Sequence, residues 1–417
     1  MECAERNAAM SKEICPAQIC TACGACENIC PKNCVVRTRQ ASSFSMTKGK
    51  ECISCGLCEK VCPMRNPAEF HPPLEAKASW ASDEKIRWYS ASGGIAASLY
   101  RYAMESGYKF IGASLDESFE CHLTLGTGEE DICKFRNSKY TYSFPDRIYK
   151  QVAEEVKRGF GVLFIGLPCQ VSAIKNYFSV LRIPQDKLFL VDIICHGTPN
   201  PEYLKDHVAA VSQKLGKTLV NGFFRDAKFD TSNFAYTLYT HNSETPAYIK
   251  YVDEDDLYQI GYHNALIYRD SCYVCKFAQQ NRTGDLTIGD FHVWDVDSCD
   301  IDIKNVSTVL VNTKKGKDLL CAVAETQKLI VLDRPLDEPI RGEKQLRHPS
   351  VAGLEREAFL NRYMQTGNYE VAAQDAFRKI ILKRKLHIDQ VKAGAKQCIK
   401  LLIPRKLWLA VKKKYKK

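Results

Sequence analysis

The chain has 417 residues, of which 45% are hydrophobic and 26% charged; this is enough for two or three domains with packed cores and excludes a disordered protein. It contains 20 cysteines and has a formal net charge of +10. Its start lacks the basic and apolar regions of a secretory signal, and nowhere do roughly 18 apolar residues follow one another. We therefore expect a cytoplasmic protein without a membrane span, whose cysteines serve metal or redox chemistry and not disulfides.

Three regions of the chain differ in composition. Eleven of the cysteines precede residue 63, and the proline-containing segment NPAEFHPPLEAK that follows has the character of a linker. Beyond it, apolar runs such as GVLFIG, LFLVDII and STVLVN alternate with helix-like stretches, which is the pattern of an α/β domain. We predict a cysteine-rich domain over residues 1–66, an α/β domain over residues 76–355 and a basic tail over residues 370–417.

The first domain contains the pattern C-x2-C-x2-C-x3-C-P twice, as CTACGACENICP and CISCGLCEKVCP. This spacing lets three thiolates of one loop bind three irons of a 4Fe-4S cluster, while the fourth cysteine crosses to the other cluster. The sequence therefore predicts a dicluster ferredoxin-like domain, with one cluster on Cys20, Cys23, Cys26 and Cys62 and the other on Cys52, Cys55, Cys58 and Cys30. A pair of zinc knuckles is the alternative, but zinc has no use for the x3-C-P ending. Three cysteines are surplus, and we expect free or half-buried thiols there: Cys3, Cys15 and Cys34.

Four cysteines of the second domain stand out by their context. Cys169 follows an apolar strand at the first turn of a helix, Cys195 follows another strand, and Cys272 and Cys275 form a C-x2-C pair in SCYVCKF. Loops at the carboxyl ends of parallel strands are where α/β sheets bind ligands, so these residues could supply the four thiolates of a third cluster. Two alternatives stay open: a zinc site with the same thiolates, or buried core thiols beside a lone cysteine pair.

Five motifs beyond the cysteine module occur in the order WYSASGGIAASL, RNSKYTYS, LFIGLPCQVSAI, DIICHGTPNPEYL and SCYVCKFAQQNRTGDLTIGDF. With the eight-cysteine module they resemble the family of coenzyme F420 hydrogenase/dehydrogenase beta subunits, in a form with a fused dicluster domain that often accompanies bacterial surface-polysaccharide biosynthesis. The resemblance implies an α/β iron-sulfur flavoprotein that binds FAD, with Cys169, Cys195, Cys272 and Cys275 as ligands of the third cluster. It also implies an oxidoreductase that exchanges electrons with a two-electron acceptor, which is F420 in methanogens.

The resemblance implies flavin contacts as well. A Gly-Gly turn before an apolar helix can offer backbone N–H groups to a diphosphate, and a nearby cation stabilises a reduced flavin. The aspartate that ends TIGDF is placed to meet a ribose hydroxyl or a backbone turn. For each candidate the alternative is an ordinary turn, surface or core residue. The candidates are Ser92, Gly93, Gly94, Lys139, Tyr140, Arg282 and Asp290.

The sequence departs from the family after TIGDF, where relatives usually continue with Trp-Gly and this chain has His292 and Val293. His292 is our candidate proton donor, and a packing role is the alternative. Because of this departure the acceptor stays open between F420, another two-electron carrier and a sugar or glycolipid intermediate. A competing function is a non-catalytic electron-relay or scaffold subunit. No P-loop, G-x-G-x-x-G or Ser-His-Asp signature supports a kinase or hydrolase.

The net charge belongs to the tail, because residues 375–417 carry fifteen Lys and Arg against two acidic residues. Leu407, Trp408 and Val411 give this segment an apolar face that suits an anionic membrane surface, whereas a solvated tail is the alternative. No nucleic-acid motif accompanies the charge, so nucleic acid is not an expected partner. The expected partners are an electron-carrier protein or a deazaflavin-type coenzyme.

Overall fold

The computed structural model describes residues 13–229, 234–292 and 305–386. Its strands are β1 Glu13–Cys15, β2 Val35–Arg39, β3 Phe44–Lys48, β4 Glu75–Ala81, β5 Lys109–Leu115, β6 Cys121–Gly126, β7 Ser143–Phe144, β8 Val162–Gly166, β9 Leu188–Ile193, β10 Leu219–Phe223, β11 Tyr236–Thr240, β12 Tyr248–Lys250, β13 Leu286–Asp290, β14 Ser307–Val311 and β15 Leu329–Arg334. Its α-helices are α1 Ala25–Ile29, α2 Leu57–Lys60, α3 Glu84–Trp88, α4 Ile95–Glu105, α5 Glu129–Phe135, α6 Ile148–Lys157, α7 Pro168–Val180, α8 Pro201–Leu215, α9 Leu257–His263, α10 Asp270–Tyr273, α11 Lys314–Thr326, α12 Asp337–Gly342, α13 Arg356–Thr366, α14 Tyr369–Ala376 and α15 Arg378–Lys385. A 3-10 turn follows α12 at Lys344–Leu346.

Nine strands form one mixed sheet in the order β15-β4-β14-β13-β9-β8-β5-β6-β7. Its centre, β13-β9-β8-β5, is parallel, whereas β14, β4 and β15 on one side pair antiparallel with their neighbours. On the other side β6 pairs antiparallel with β5 and parallel with β7. The apolar run of β8 is buried along its whole length, as expected for a central strand with both faces covered. The predicted α/β class is confirmed, and the carboxyl ends of β8, β9 and β13 lie together at one edge.

The cysteine-rich segment packs directly on this sheet domain. Its strands form a small antiparallel sheet in the order β1-β3-β2 beside α1 and α2. Tyr149 of α6 donates its hydroxyl to the Cys23 carbonyl at 2.6 Å, and Asn28 of α1 donates to the Asp146 carbonyl at 2.6 Å. One hydrophobic core joins the two parts, and it includes Ile14, Met46, Val61, Ile148, Val152 and Phe178. The segment therefore shares its core with the sheet domain.

The proline-containing linker is held against the sheet domain. His71 and Arg282 exchange backbone N–H···O bonds of 2.7 and 2.8 Å, and the rings of Phe70 and Phe277 lie 6.0 Å apart. The Leu74 amide donates to the Val311 carbonyl at 2.7 Å, just before β4 enters the large sheet. These contacts fix the orientation of the cysteine-rich segment relative to the sheet.

A helical layer made of α8, α9, α13, α14 and α15 packs with the small sheet β10-β11-β12. Its core is aromatic, with the fully buried residues Tyr203, Tyr236, Tyr258, Phe359 and Tyr369. We expected a basic tail from residue 370, but α14 and the start of α15 are part of this core because Ala372, Ala373, Phe377 and Ile381 are buried. Residues 387–417, with most of the basic charge and the apolar face expected to meet a membrane, lie outside the described residues. No helix in the described ranges is long and apolar enough to cross a bilayer.

Candidate functional site

The first cavity lies between the two cysteine motifs. Cys20, Cys23 and Cys26 of the first motif line it together with Cys62 of the second, which is the crossed arrangement that the spacing predicted. The loop turns at Gly24 with φ +77°, and a β-carbon at this position would lie 2.2 Å from Cγ of Pro145. All four cysteines are buried. Thiols held this way face a closed, mostly apolar space in which a metal group would be shielded from water.

The second cavity combines the two motifs in the opposite way and lies closer to the surface. Cys52, Cys55 and Cys58 of the second motif line it together with Cys30 of the first. Cys55 is exposed, and the side chain of the neighbouring Ile53 is 57% exposed. Of the two cysteine-motif cavities, this one is therefore the nearer to solvent.

The third cavity is assembled from segments far apart in the chain. Cys169 lies in the first turn of α7 after β8, Cys195 follows β9, and Cys272 and Cys275 lie on and after α10. Burial, and then the neighbouring Cys272, raise the pKa of the Cys195 thiol to about 12 and that of Cys275 to about 11. A metal group binds thiolates, so binding here has to release protons.

The donor sets bear on the two metal alternatives. All the metal-ligand candidates that line the three cavities are thiols, apart from His196 beside the third cavity. At the first two cavities the thiols come from motifs with the x3-C-P ending, which is typical of 4Fe-4S clusters and not of zinc. At the third cavity the four thiols fit a 4Fe-4S cluster, and a zinc site with the same thiolates stays the alternative.

Two surplus cysteines, which we expected to be ordinary thiols, lie at these cavities. Cys15 of β1 is buried and lines the first cavity, and Cys34 lines the second, with its sulfur 3.5 Å from that of Cys30. Hydrogen bonds with Cys20 and Cys62 raise the pKa of Cys15. Spacing could not reveal this, because neither residue belongs to a repeated motif. Cys3 and Cys299 lie outside the described residues.

Two residues that were predicted to contact the flavin, Lys139 and Arg282, bond to other groups of the protein. Lys139 is half-buried, and its ammonium group donates to the Lys134 and Asn137 carbonyls at and just after the end of α5, at 2.8 and 3.2 Å. Partial burial lowers its pKa to about 8. Arg282 is buried at the third cavity, where it pairs with Asp192 at 2.7 Å and donates to the Phe277 carbonyl at 2.9 Å. These contacts favour a structural role for both residues, and a flavin contact stays a prediction.

The other flavin candidates lie along one continuous set of contacts. In the turn before α4, Ser92 donates to the Val306 carbonyl, and the Gly93 amide donates to the Ser307 hydroxyl at 2.9 Å. Gly94 caps this helix with φ +86°. Ser307 is the register partner of Asp290, whose carboxylate accepts from Arg225 at 2.7 Å. Arg225 in turn hydrogen-bonds Tyr140.

Aromatic residues connect this region to the third cavity. The ring of Tyr140 stacks on that of Tyr262 at 4.2 Å, and the ring of Tyr262 lies 5.2 Å from that of Tyr268. Tyr268 packs against Gly197 of the Cys195 loop, where a β-carbon would lie 2.4 Å from its ring. The sequence motif NSKY indicated Tyr140 but gave no sign of the stack behind it.

His292, the predicted proton donor, lies at the same edge. Its Nε2 atom is 2.9 Å from Glu343, and the other carboxylate oxygen of Glu343 is 3.5 Å from Nε2 of His196, the residue after Cys195. Glu343 is 4% exposed, and the hydrogen bond that it makes raises the pKa of His292. Glu343 was missed because it lies over 50 residues beyond the last motif, and no pattern marks it.

Known proteins match both parts of the chain. Residues 161–335 match the family described as the C terminus of the beta subunit of coenzyme F420 hydrogenase/dehydrogenase, and residues 19–66 match the 4Fe-4S dicluster domain. The F subunit of F(420)H(2) dehydrogenase from Methanosarcina mazei is 22% identical over 234 residues, which are 52% of this chain and 65% of that protein. The match thus spans less than two thirds of that relative.

A solved structure of the F420-reducing NiFe hydrogenase complex from Methanosarcina barkeri, a xenon derivative, is also similar. It is 19% identical with a TM-score of 0.40, and the match covers 77% of this chain and 92% of that chain. The two family matches account for all three cysteine cavities, since every cysteine that lines them except Cys15 lies within the matched residues. Residues 161–335 of the chain therefore contain the C-terminal domain of the coenzyme F420 hydrogenase/dehydrogenase beta-subunit family, and residues 19–66 contain a 4Fe-4S dicluster domain.

Proposed function

We propose that this chain is an iron-sulfur flavoprotein oxidoreductase that exchanges single electrons with an external carrier and electron pairs with an organic acceptor. The observation that carries the proposal is the presence of three cavities, each lined by at least four cysteines. When bound, 4Fe-4S clusters supply one-electron transfer and FAD links it to two-electron chemistry. The chain's own residues determine where each group is held and how water is kept away.

The order of the cavities follows from the residues that they share. The first and second cavities exchange Cys30 and Cys62, and Thr21 lines both the first and the third cavity. The second cavity, with its exposed Cys55, is the point at which an electron-carrier protein would meet the chain. The aromatic residues from Tyr268 to Tyr140 then lead from the third cavity to the proposed flavin region.

The proposed FAD region includes the turn of residues 92–94, Asp290, Arg225 and Tyr140. The turn precedes an 11-residue helix, whose N-terminus favours an anion, and the Arg225 guanidinium is a cation suited to a reduced flavin. Flavin quantitation tests this. Arg225→Met should lose most of its FAD and keep its iron, whereas Arg356→Met, which removes a buried arginine paired with Asp270, should keep both. Equal FAD in Arg225→Met and the unaltered chain would contradict the site.

His292 is the proposed proton donor to the acceptor, with Glu343 holding its ring. His292→Gln should slow reduction of a proton-requiring acceptor by about 100-fold, because a general acid typically contributes a factor of this order. Reduction of a viologen dye, which takes an electron without a proton, should keep its rate. His348→Gln, at an exposed histidine, is the control. Equal loss with both acceptors would mean that His292 has a structural role.

The identity of the acceptor can be tested with anaerobically purified protein. If F420 is the acceptor, the protein should bleach or restore deazaflavin absorbance when coupled to a viologen dye. Silence in this assay would favour the other acceptors, namely another two-electron carrier or a sugar or glycolipid intermediate, and the last of these would fit the predicted role in surface-polysaccharide biosynthesis. A preparation with iron and without flavin would favour the electron-relay or scaffold subunit. Membrane co-sedimentation that is lost on deletion of residues 387–417 is what the predicted role of the tail requires.

A further inference from the structure

Arg269 is the residue immediately before α10, and its side chain is 2% exposed. Its Nε and Nη2 atoms donate to the Thr198 hydroxyl at 3.1 and 2.8 Å, and its Nη1 atom donates to the Thr21 carbonyl at 2.8 Å. The guanidinium also lies over the ring of Tyr142, 4.5 Å from its centre. All of these partners are neutral.

The other buried arginines of the described chain differ in this respect. Each pairs with a carboxylate within 2.7 Å, namely Arg282 with Asp192, Arg225 with Asp290 and Arg356 with Asp270. No carboxylate oxygen of the described residues lies within 4.0 Å of the Arg269 guanidinium. Burying an uncompensated charge costs several kcal/mol, so an anion is expected beside Arg269.

The anions available are thiolates from two cavities. Arg269 lines the third cavity, and its partner Thr21, which follows Cys20 in the chain, lines both the first and the third. Burial opposes the charge of Arg269, but negative charge on Cys272, and then on Cys169 and Cys20, raises its pKa. Cys272 and Cys169 belong to the third cavity and Cys20 to the first, so the guanidinium lies where both thiolate sets act on it.

We propose that Arg269 is a shared counter-charge that raises the reduction potential at both the first and the third cysteine site. This inference rests on the proposed iron-sulfur function. Each one-electron reduction adds one negative charge to a site, and a fixed, permanently charged guanidinium beside it stabilises the reduced state. Because Arg269 lies beside both sites, it raises both potentials in the same direction. Arg269 is thus a positioning residue for electron transfer between them.

The test is an anaerobic redox titration of the iron-loaded full chain, followed by electron paramagnetic resonance. Signals are assigned with Cys272→Ser for the third site and Cys55→Ser for the second. Arg269→Met removes the charge and keeps most of the volume. This variant should lower the reduction potentials of the first and third sites. We expect the reduction equilibrium at each site to shift at least tenfold, which is about 59 mV for a one-electron couple. Arg269→Lys, which keeps the charge, should shift them less.

Two controls separate charge from packing. The signal of the second site, which Arg269 does not line, should keep its potential in both variants. Arg356→Met, which removes a buried but carboxylate-paired arginine outside the cavities, should leave all potentials unchanged. If Arg269→Met loses iron that Arg269→Lys keeps, the counter-charge is also supported.

Unchanged potentials in Arg269→Met would overturn the inference, and so would equal shifts in Arg269→Lys and Arg269→Met, because packing would then explain the effect. Iron content of the unaltered chain is measured first. Absence of iron from the third site there would contradict the proposed function itself, and the two failures are therefore distinguishable.

Discussion

The first two cavities and the third hold the same kind of donor set but are built in opposite ways. In the cysteine-rich segment, three ligands of each cavity lie on one loop, and a single exchange of Cys30 and Cys62 completes the sets. In the third cavity, the four ligands lie after β8, after β9, and on and after α10, and the first and last of them, Cys169 and Cys275, are over 100 residues apart in the chain. Local spacing therefore specifies the first two, whereas the third depends on the sheet being folded.

The two kinds of cavity also differ in spare ligands. A fifth cysteine lies at each of the first two, Cys15 and Cys34, while the third cavity is lined by four cysteines within the described chain. The difference predicts that the first two cavities tolerate the loss of one cysteine ligand, whereas the third cavity does not.

The largest expected effect is on iron content. Cys272→Ser should reduce iron from about twelve to about eight atoms per chain, because three 4Fe-4S clusters become two. Cys30→Ser should keep about twelve, since the Cys34 sulfur lies 3.5 Å from that of Cys30 and can replace it. Iron and sulfide quantitation after anaerobic purification measures both. The double variant Cys30→Ser with Cys34→Ser should lose one cluster, and if it keeps its iron, the replacement by Cys34 is refuted.

The helical layer provides a stability test away from the cavities. His207 of α8 is fully buried, with Nε2 3.1 Å from Asp256 and Nδ1 2.6 Å from Glu370, and these partners outweigh burial to raise its pKa to about 10. His207→Gln should reduce the free energy of unfolding by about 3 kcal/mol at pH 6, because the buried Asp256 and the half-buried Glu370 lose their cation. Iron content at all three cavities should not change.

The pH dependence of this effect has a definite sign. The pKa of His207 is higher in the folded state than its unfolded value of about 6.5, so its stabilisation is complete below pH 6.5 and is lost as pH rises through about 10. The difference in unfolding free energy between the unaltered chain and His207→Gln should therefore shrink steadily as pH rises from about 6.5 to about 10. Denaturant unfolding at pH 6.5, 8 and 9.5 measures it, and a constant difference would show that the imidazolium is not the source.

The smallest effect concerns the contact between the two regions. Tyr149→Phe removes the hydroxyl that donates to the Cys23 carbonyl at 2.6 Å and leaves a buried acceptor unpaired. We expect a loss of about 1 to 3 kcal/mol in unfolding free energy, with faster loss of iron from the first cavity than from the third. Tyr177→Phe, in the same core without a hydrogen bond from its hydroxyl to a described residue, is the matched control. Equal iron loss from both cavities would show that the contact serves the whole chain.

The same contrast explains what the sequence could predict. The cysteine motifs, the strands β8 and β9 and the α/β class follow from spacing and apolar patterning, which are local. Arg269, Glu343 and Cys15 acquire their positions only through tertiary contacts, so no pattern marks them. The start of the basic tail was misjudged for a related reason. The apolar residues of α14 and α15 are scattered among charged ones, and only packing on α8 and α9 shows that they are core.

The measurement that tests the central claim most directly is the quantitation of iron, acid-labile sulfide and zinc in one anaerobic preparation of the full chain. Three cavities, each with four cysteine ligands for one 4Fe-4S cluster, predict about twelve irons and as many sulfides per chain, with zinc absent. About eight irons, or zinc in place of four of them, would mean that Cys169, Cys195, Cys272 and Cys275 hold no 4Fe-4S cluster, and the account of the third cavity would be wrong.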